Sequence, residues 1–120
     1  MSKYEVVVPW EMNQLVKYME YGLENSKIPA AKRESADWSF GGSRGKIRVY
    51  EQSRFTYAEE CCLSLIFIAA EGMTKVTAIT AGSGHPTYYG REEYMQIRRE
   101  PYLMETVKML LDGYNLAIAE

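Results

Sequence analysis

The chain reads as an α+β protein: a single antiparallel sheet of about five strands, in the order β-α-β-β-β-β-α, with two helices on one face. Three observations predict this. Short β-rich segments follow one another from residue 36 to residue 81 with glycine-containing turns between them, which is the pattern of a meander rather than of βαβ units. Two stretches, one near each end, carry apolar residues at helical spacing. The chain has 120 residues, 47% hydrophobic and 25% charged, the size and composition of one globular domain spanning 1–120.

Tyr4 to Val8 is β-branched and short, and forms the first strand. Pro9 suits the first turn of a helix, and Met12, Leu15, Val16, Met19 and Leu23 then repeat at helical spacing, so a helix is expected from Pro9 to Asn25. Pro29 prevents its continuation. Ala36 to Phe40 is the second strand, Gly41 to Gly45 a turn, and Lys46 to Gln52 the third strand. Alternation puts Ile47 and Val49 on one face and Lys46, Arg48 and Tyr50 on the other. The hairpin is therefore expected to turn Trp38, Phe40, Ile47 and Val49 to the core, beneath both helices. Glu60 to Ala70 is the fourth strand and the most apolar segment; Glu71-Gly72 turns the chain into a fifth strand, Met73 to Ala81. Gly82 to Pro86 breaks the pattern. The tyrosine-rich stretch Thr87 to Arg99 reads as loop with a short helix around Glu92 to Arg98. Pro101 opens a closing helix with Leu103, Val107, Leu110, Leu111, Tyr114 and Ile118 in one stripe.

Three segments carry a resemblance: Lys3 to Val8, Arg48-Val49-Tyr50-Glu51, and Ala78 to Gly84. Together with the closing helix they resemble a family of small bacterial proteins of unknown function. The element order also resembles, more loosely, a shortened helix-grip domain of the START and Bet v 1 type. That resemblance implies a curved sheet gripping a C-terminal helix around an apolar cavity. Neither implies an activity.

The net charge is −2, from fourteen basic and sixteen acidic residues. This argues against a nucleic-acid-coating protein and against a polybasic membrane binder. Glu5, Glu11 and Glu20 interrupt any signal-like N-terminus, and the apolar run Cys61 to Ala70 is too short to span a bilayer, so a soluble cytoplasmic protein is expected. Adjacent cysteines point to opposite faces of a strand; Cys61 and Cys62 read as two small buried hydrophobes rather than a disulfide or metal motif. A single histidine excludes a two-histidine metal site, and no cofactor is implied.

Two groups of residues are candidate sites. The glycine loop after the fifth strand offers Ser83, His85, Tyr88 and Tyr89 as ligand contacts, because glycine loops at strand ends often position function. The plainer reading of His85 is a surface-loop histidine. Arg44, Lys46 and Arg48 alternate along the third strand with Tyr50, a basic and aromatic face of the kind that single-stranded nucleic acid uses, although a solvated face explains it as simply. No nucleophile with a base and an orienting group stands out, which argues against an enzyme. The function expected is a non-enzymatic module binding a small ligand or a protein partner. The alternative is a homo-oligomeric structural or regulatory protein. Strand four favours self-association: Leu63, Leu65 and Phe67 point one way, Ile66 and Ile68 the other, and two helices cover only one face. The second cover must come from the Thr87 to Arg99 segment or from another chain; Arg91, Glu92, Glu93, Arg98 and Arg99 make that segment a poor lid, and a homodimer is the commonest way to bury such a face.

Overall fold

The computed structural model describes residues 2–26, 30–54, 59–83 and 103–114. Five strands form one antiparallel sheet: β1 (Ser2–Val8), β2 (Ala31–Phe40), β3 (Ser43–Arg54), β4 (Glu59–Ala70) and β5 (Met73–Ser83). Their spatial order is β1-β5-β4-β3-β2. Helix α1 (Met12–Glu24) lies between β1 and β2 in the chain, and helix α2 covers residues 103–111, followed by a 3₁₀ turn at Asp112–Tyr114. The α+β class and the single sheet with both helices on one face are as the sequence predicts.

Two hairpin turns are tight for a local reason. Gly41 and Gly42 have φ of 56° and 87°, and Glu71 and Gly72 have 51° and 79°. Positive φ at both central residues is what a two-residue turn needs to match the twist of its strands. The first turn is therefore shorter than the Gly41 to Gly45 expected, and β3 begins at Ser43. Helix α1 begins later than Pro9. Its N-cap is Glu11, whose carboxylate accepts from the backbone N–H of Asn13 at 3.0 Å and of Gln14 at 3.1 Å. Strand β2 starts five residues before the expected boundary. Its first half, Ala31 to Ser35, is polar and carries an irregularity between Lys32 and Glu34.

The core lies between the helices and one sheet face. Met12, Leu15, Val16, Met19 and Leu23 of α1 are all buried, with Leu103, Met104, Val107 and Leu111 of α2 beside them. Against these stand Val6 and Val8 of β1, Val76 and Ala78 of β5, and Cys61, Leu63, Leu65 and Phe67 of β4. Tyr18 reaches from α1 to α2, donating its hydroxyl to the Leu110 carbonyl at 2.7 Å.

One expectation is reversed. Trp38, Phe40, Ile47 and Val49 do not face the helices. Register settles the matter: Leu63, Leu65 and Phe67 stand opposite Tyr50, Arg48 and Lys46. β4 turns its largest apolar row, Leu63, Leu65 and Phe67, inward, and β3 must follow its partner. Tyr50 is consequently buried, while Trp38 is 41% and Phe40 84% exposed. Long stems let Lys46 and Arg48 run along the core with their charged heads at its margin.

Candidate functional site

The face opposite the helices is built by three cross-strand rows. The first is Glu34–Val49–Ser64–Ile79–Lys3, the second Ala36–Ile47–Ile66–Thr77–Glu5, and the third Trp38–Gly45–Ile68–Lys75–Val7. Each row crosses the sheet from β2 to β1. Val49, Ile79, Ile47, Ile66 and Ile68 form an aliphatic centre interrupted by Ser64, Thr77, Gly45 and Lys75, and Glu34, Lys3 and Glu5 are the charged row ends. Ile47, Val49, Ile66 and Ile79 are half-buried by their neighbours within the sheet, and Ile68 is 41% exposed. Among the described residues, no helix packs on this face.

The Trp38 indole lies flat on the Gly45 backbone, where any side chain would collide with the ring. An aromatic ring over a cross-strand glycine covers the backbone that the glycine leaves bare. At the β1 border Glu5 accepts from the Thr77 hydroxyl at 2.9 Å and lies 3.6 Å from the Lys75 ammonium. The Thr77 hydrogen bond, then Lys75, holds the Glu5 carboxyl below its ordinary value. At the β2 border Arg33 donates to Glu51 at 2.8 Å. The surface is thus an apolar centre between two polar rims, the anatomy of a protein interface.

The predicted basic row is real as a row and mistaken as a solvated face. Arg44, Lys46, Arg48 and Tyr50 share the side of the sheet that α1 covers. Arg48 donates to Glu20 at 3.0 Å and to Asp37 at 2.9 Å, Lys46 to Asp37 at 3.0 Å, and Lys32 to Glu20 at 2.9 Å. Arg44 lies 3.9 Å from Glu11. Burial works against the Glu20 charge, yet the bonds from Lys32 and Arg48 outweigh it and hold its carboxyl low. Lys46 and then Arg48 hold Asp37 low as well. These cations are neutralised by the chain's own carboxylates, and the lattice ties α1 to the β2–β3 hairpin. Tyr50 is wholly buried, and its hydroxyl finds no hydrogen-bond partner among the described residues. Burial, with Glu20 and Glu24 nearby, pushes its phenol up.

Of the predicted loop contacts, Ser83 closes β5 opposite Glu60. His85, Tyr88 and Tyr89 lie outside the described residues. A groove of about 710 Å³ opens beside the helix pair, lined by Tyr4, Gly22, Ser26, Lys108, Met109 and Leu110 among others. Trp10, Tyr18 and Tyr114 cluster with centroids 4.6–6.1 Å apart, so they pack on one another and leave no room for a ligand between them. Cys61, buried, and Cys62, half-buried, are not joined in a disulfide. Among the described residues, no three His, Cys, Asp or Glu side chains gather to hold a metal ion. No helix among them is long and apolar enough to cross a membrane.

The residues that the sequence assigns to the core, Trp38, Phe40, Ile47 and Val49, belong to this open face instead. The available signal was the two-sided apolar character of strand four. Only the register could tell which side the hairpin shared.

A model of a family described as "Family of unknown function (DUF6054)" matches residues 1–109. No curated protein and no solved structure matches the chain.

Proposed function

The chain belongs to the DUF6054 family of unknown function, and from that premise we propose that it is a non-enzymatic association module that pairs with a second copy through the open face of its sheet. One observation carries this: the apolar centre of Ile47, Val49, Ile66, Ile68, Ile79 and Trp38 spans the four strands β2 to β5 on the side away from both helices. An antiparallel sheet can leave one face to water, but then that face alternates to polar residues. Here it does not. A contiguous apolar surface of this kind on a soluble chain marks an interface.

The test is mass in solution. Light scattering or sedimentation at micromolar concentration is expected to give twice the 13.8 kDa chain mass. Ile66→Glu, at the middle of the face, is expected to give the single-chain mass with an unchanged circular dichroism spectrum. A single-chain mass for the unaltered protein would refute the proposal.

A second reading, a small-ligand binder, is favoured by the groove lined by Tyr4, Gly22, Lys108 and Leu110. In it Ser83, His85, Tyr88 and Tyr89 remain candidate contacts. Saturable stabilisation by apolar acids, lost in Lys108→Glu, would support it.

A further inference from the structure

We infer, resting on the association reading above, that the second copy docks face to face with its two-fold axis nearly along the strands and centred on β4. In this arrangement β2 of each copy lies over β1 of the other, and Glu34 meets the partner's Lys3. The argument begins with symmetry. A two-fold axis along the strands permits no slide along them, so each cross-strand row must stack on its own copy. Rotation about β4 then fixes every partner. In the first row Glu34 comes over the partner's Lys3, and Val49 over the partner's Ile79. In the second, Ala36 comes over Glu5, which keeps its own Thr77 and Lys75, Ile47 comes over Thr77, and Ile66 meets its own copy. In the third, Trp38 comes over Val7, Ile68 meets its own copy, and the partner's Lys75 faces Gly45, where the Trp38 indole lies. A cation thus comes to an aromatic face.

The rims agree with this choice. The β1 rim holds Lys3, Glu5 and Lys75 and is net positive; the β2 rim holds Arg33, Glu34 and Glu51 and is net negative. Laying β1 over β2 brings opposite rims together at both ends of the interface. The alternative axis, across the strands at Ile66, stacks Glu5 on Glu5 and sets Glu34 over Trp38, leaving like charges and unpaired charges buried. Area agrees as well. Five strands about 4.8 Å apart, sharing the roughly 24 Å length of the seven-residue β1, give a face of roughly 580 Å² per copy and about 1,150 Å² in all, above the roughly 1,000 Å² that a specific interface should clear. The arrangement also accounts for β2, all ten of whose residues are exposed in the single chain. In the pair, the partner's β1 covers them on one side.

The experiment is a charge swap measured by sedimentation at low ionic strength, where rim charges are least screened. Both positions are exposed, so folding is spared. Glu34→Lys and Lys3→Glu are each expected to weaken dimerisation about tenfold, because each reversal occurs twice in the pair. The double variant K3E/E34K is expected to return to within about threefold of the unaltered protein. Single variants without effect, or a double variant weaker than either, would overturn this arrangement while leaving the open face as the association surface. Ile66→Glu measured alongside separates the two: undiminished dimerisation in that variant would overturn both.

Discussion

Replacing Tyr50 by Phe tests which face of β3 is the core, and the sign of the result decides. Tyr50 is wholly buried, and its hydroxyl is without a hydrogen-bond partner among the described residues. A buried hydroxyl in that state costs about 1–3 kcal/mol relative to its hydrated state in the unfolded chain. Removing one oxygen leaves the ring and its packing in place, and the void is smaller than a methyl group. Tyr50→Phe is therefore expected to stabilise the fold by about 1 kcal/mol. In urea, with a slope of about 1.5 kcal/mol/M for a chain of this size, the midpoint should rise by roughly 0.7 M at unchanged slope. Were Tyr50 on a solvated face, the change would stay within about 0.5 kcal/mol of zero. Were its hydroxyl satisfied in the core, the variant would lose about 1 kcal/mol. A midpoint that stays or falls refutes the reasoning.

Two further outcomes follow from the geometry. The carboxyls of Glu20 and Asp37 sit below their ordinary values of 4.5 and 3.8, so their contribution is in place above those values and is lost as pH falls through the lower folded ones. Stability should fall as pH drops below about 4.5, and in Glu20→Gln that acid limb should be shallower; an identical pH profile would contradict the lattice. Gly45→Ala should expel the Trp38 indole from its seat on the sheet, shift tryptophan emission to longer wavelength and cost on the order of 1 kcal/mol; an unchanged spectrum would count against the stacking.

Much of the fold was legible because the decisive signals were local. Met12, Leu15, Val16, Met19 and Leu23 repeat at helical spacing and all five are buried. Leu63, Leu65 and Phe67 name the inner row of β4 as plainly. What failed was β3, where each face offers a credible core row. Ile47 and Val49 are more apolar residue by residue than Lys46, Arg48 and Tyr50, and hydrophobicity chooses them. Pairing with β4 overrides that choice, and the cost is met by carboxylates from α1 and β2 that no local pattern links to Arg48. The first half of β2 was missed for a related reason. Lys32, Arg33, Glu34 and Ser35 carry no strand propensity, and the ladder to β3 holds them where burial does not. The predicted loop contacts fared differently again: of the four, only Ser83 lies within the described residues.

The irregularity between Lys32 and Glu34 in β2 has a consequence for how far assembly can run. In the proposed pair, covering the sheet by its face leaves the outer edge of β2, which pairs with no further strand among the described residues, as a line of backbone donors and acceptors. A flat edge of ten residues would template further strands and grow without limit. The extra residue at Arg33 breaks the spacing of that line, and the charges of Lys32, Arg33, Glu34 and Asp37 repel a flat approach. Growth by strand addition is thereby disfavoured along this border, and in the proposed pair stacking by the face would end at two copies.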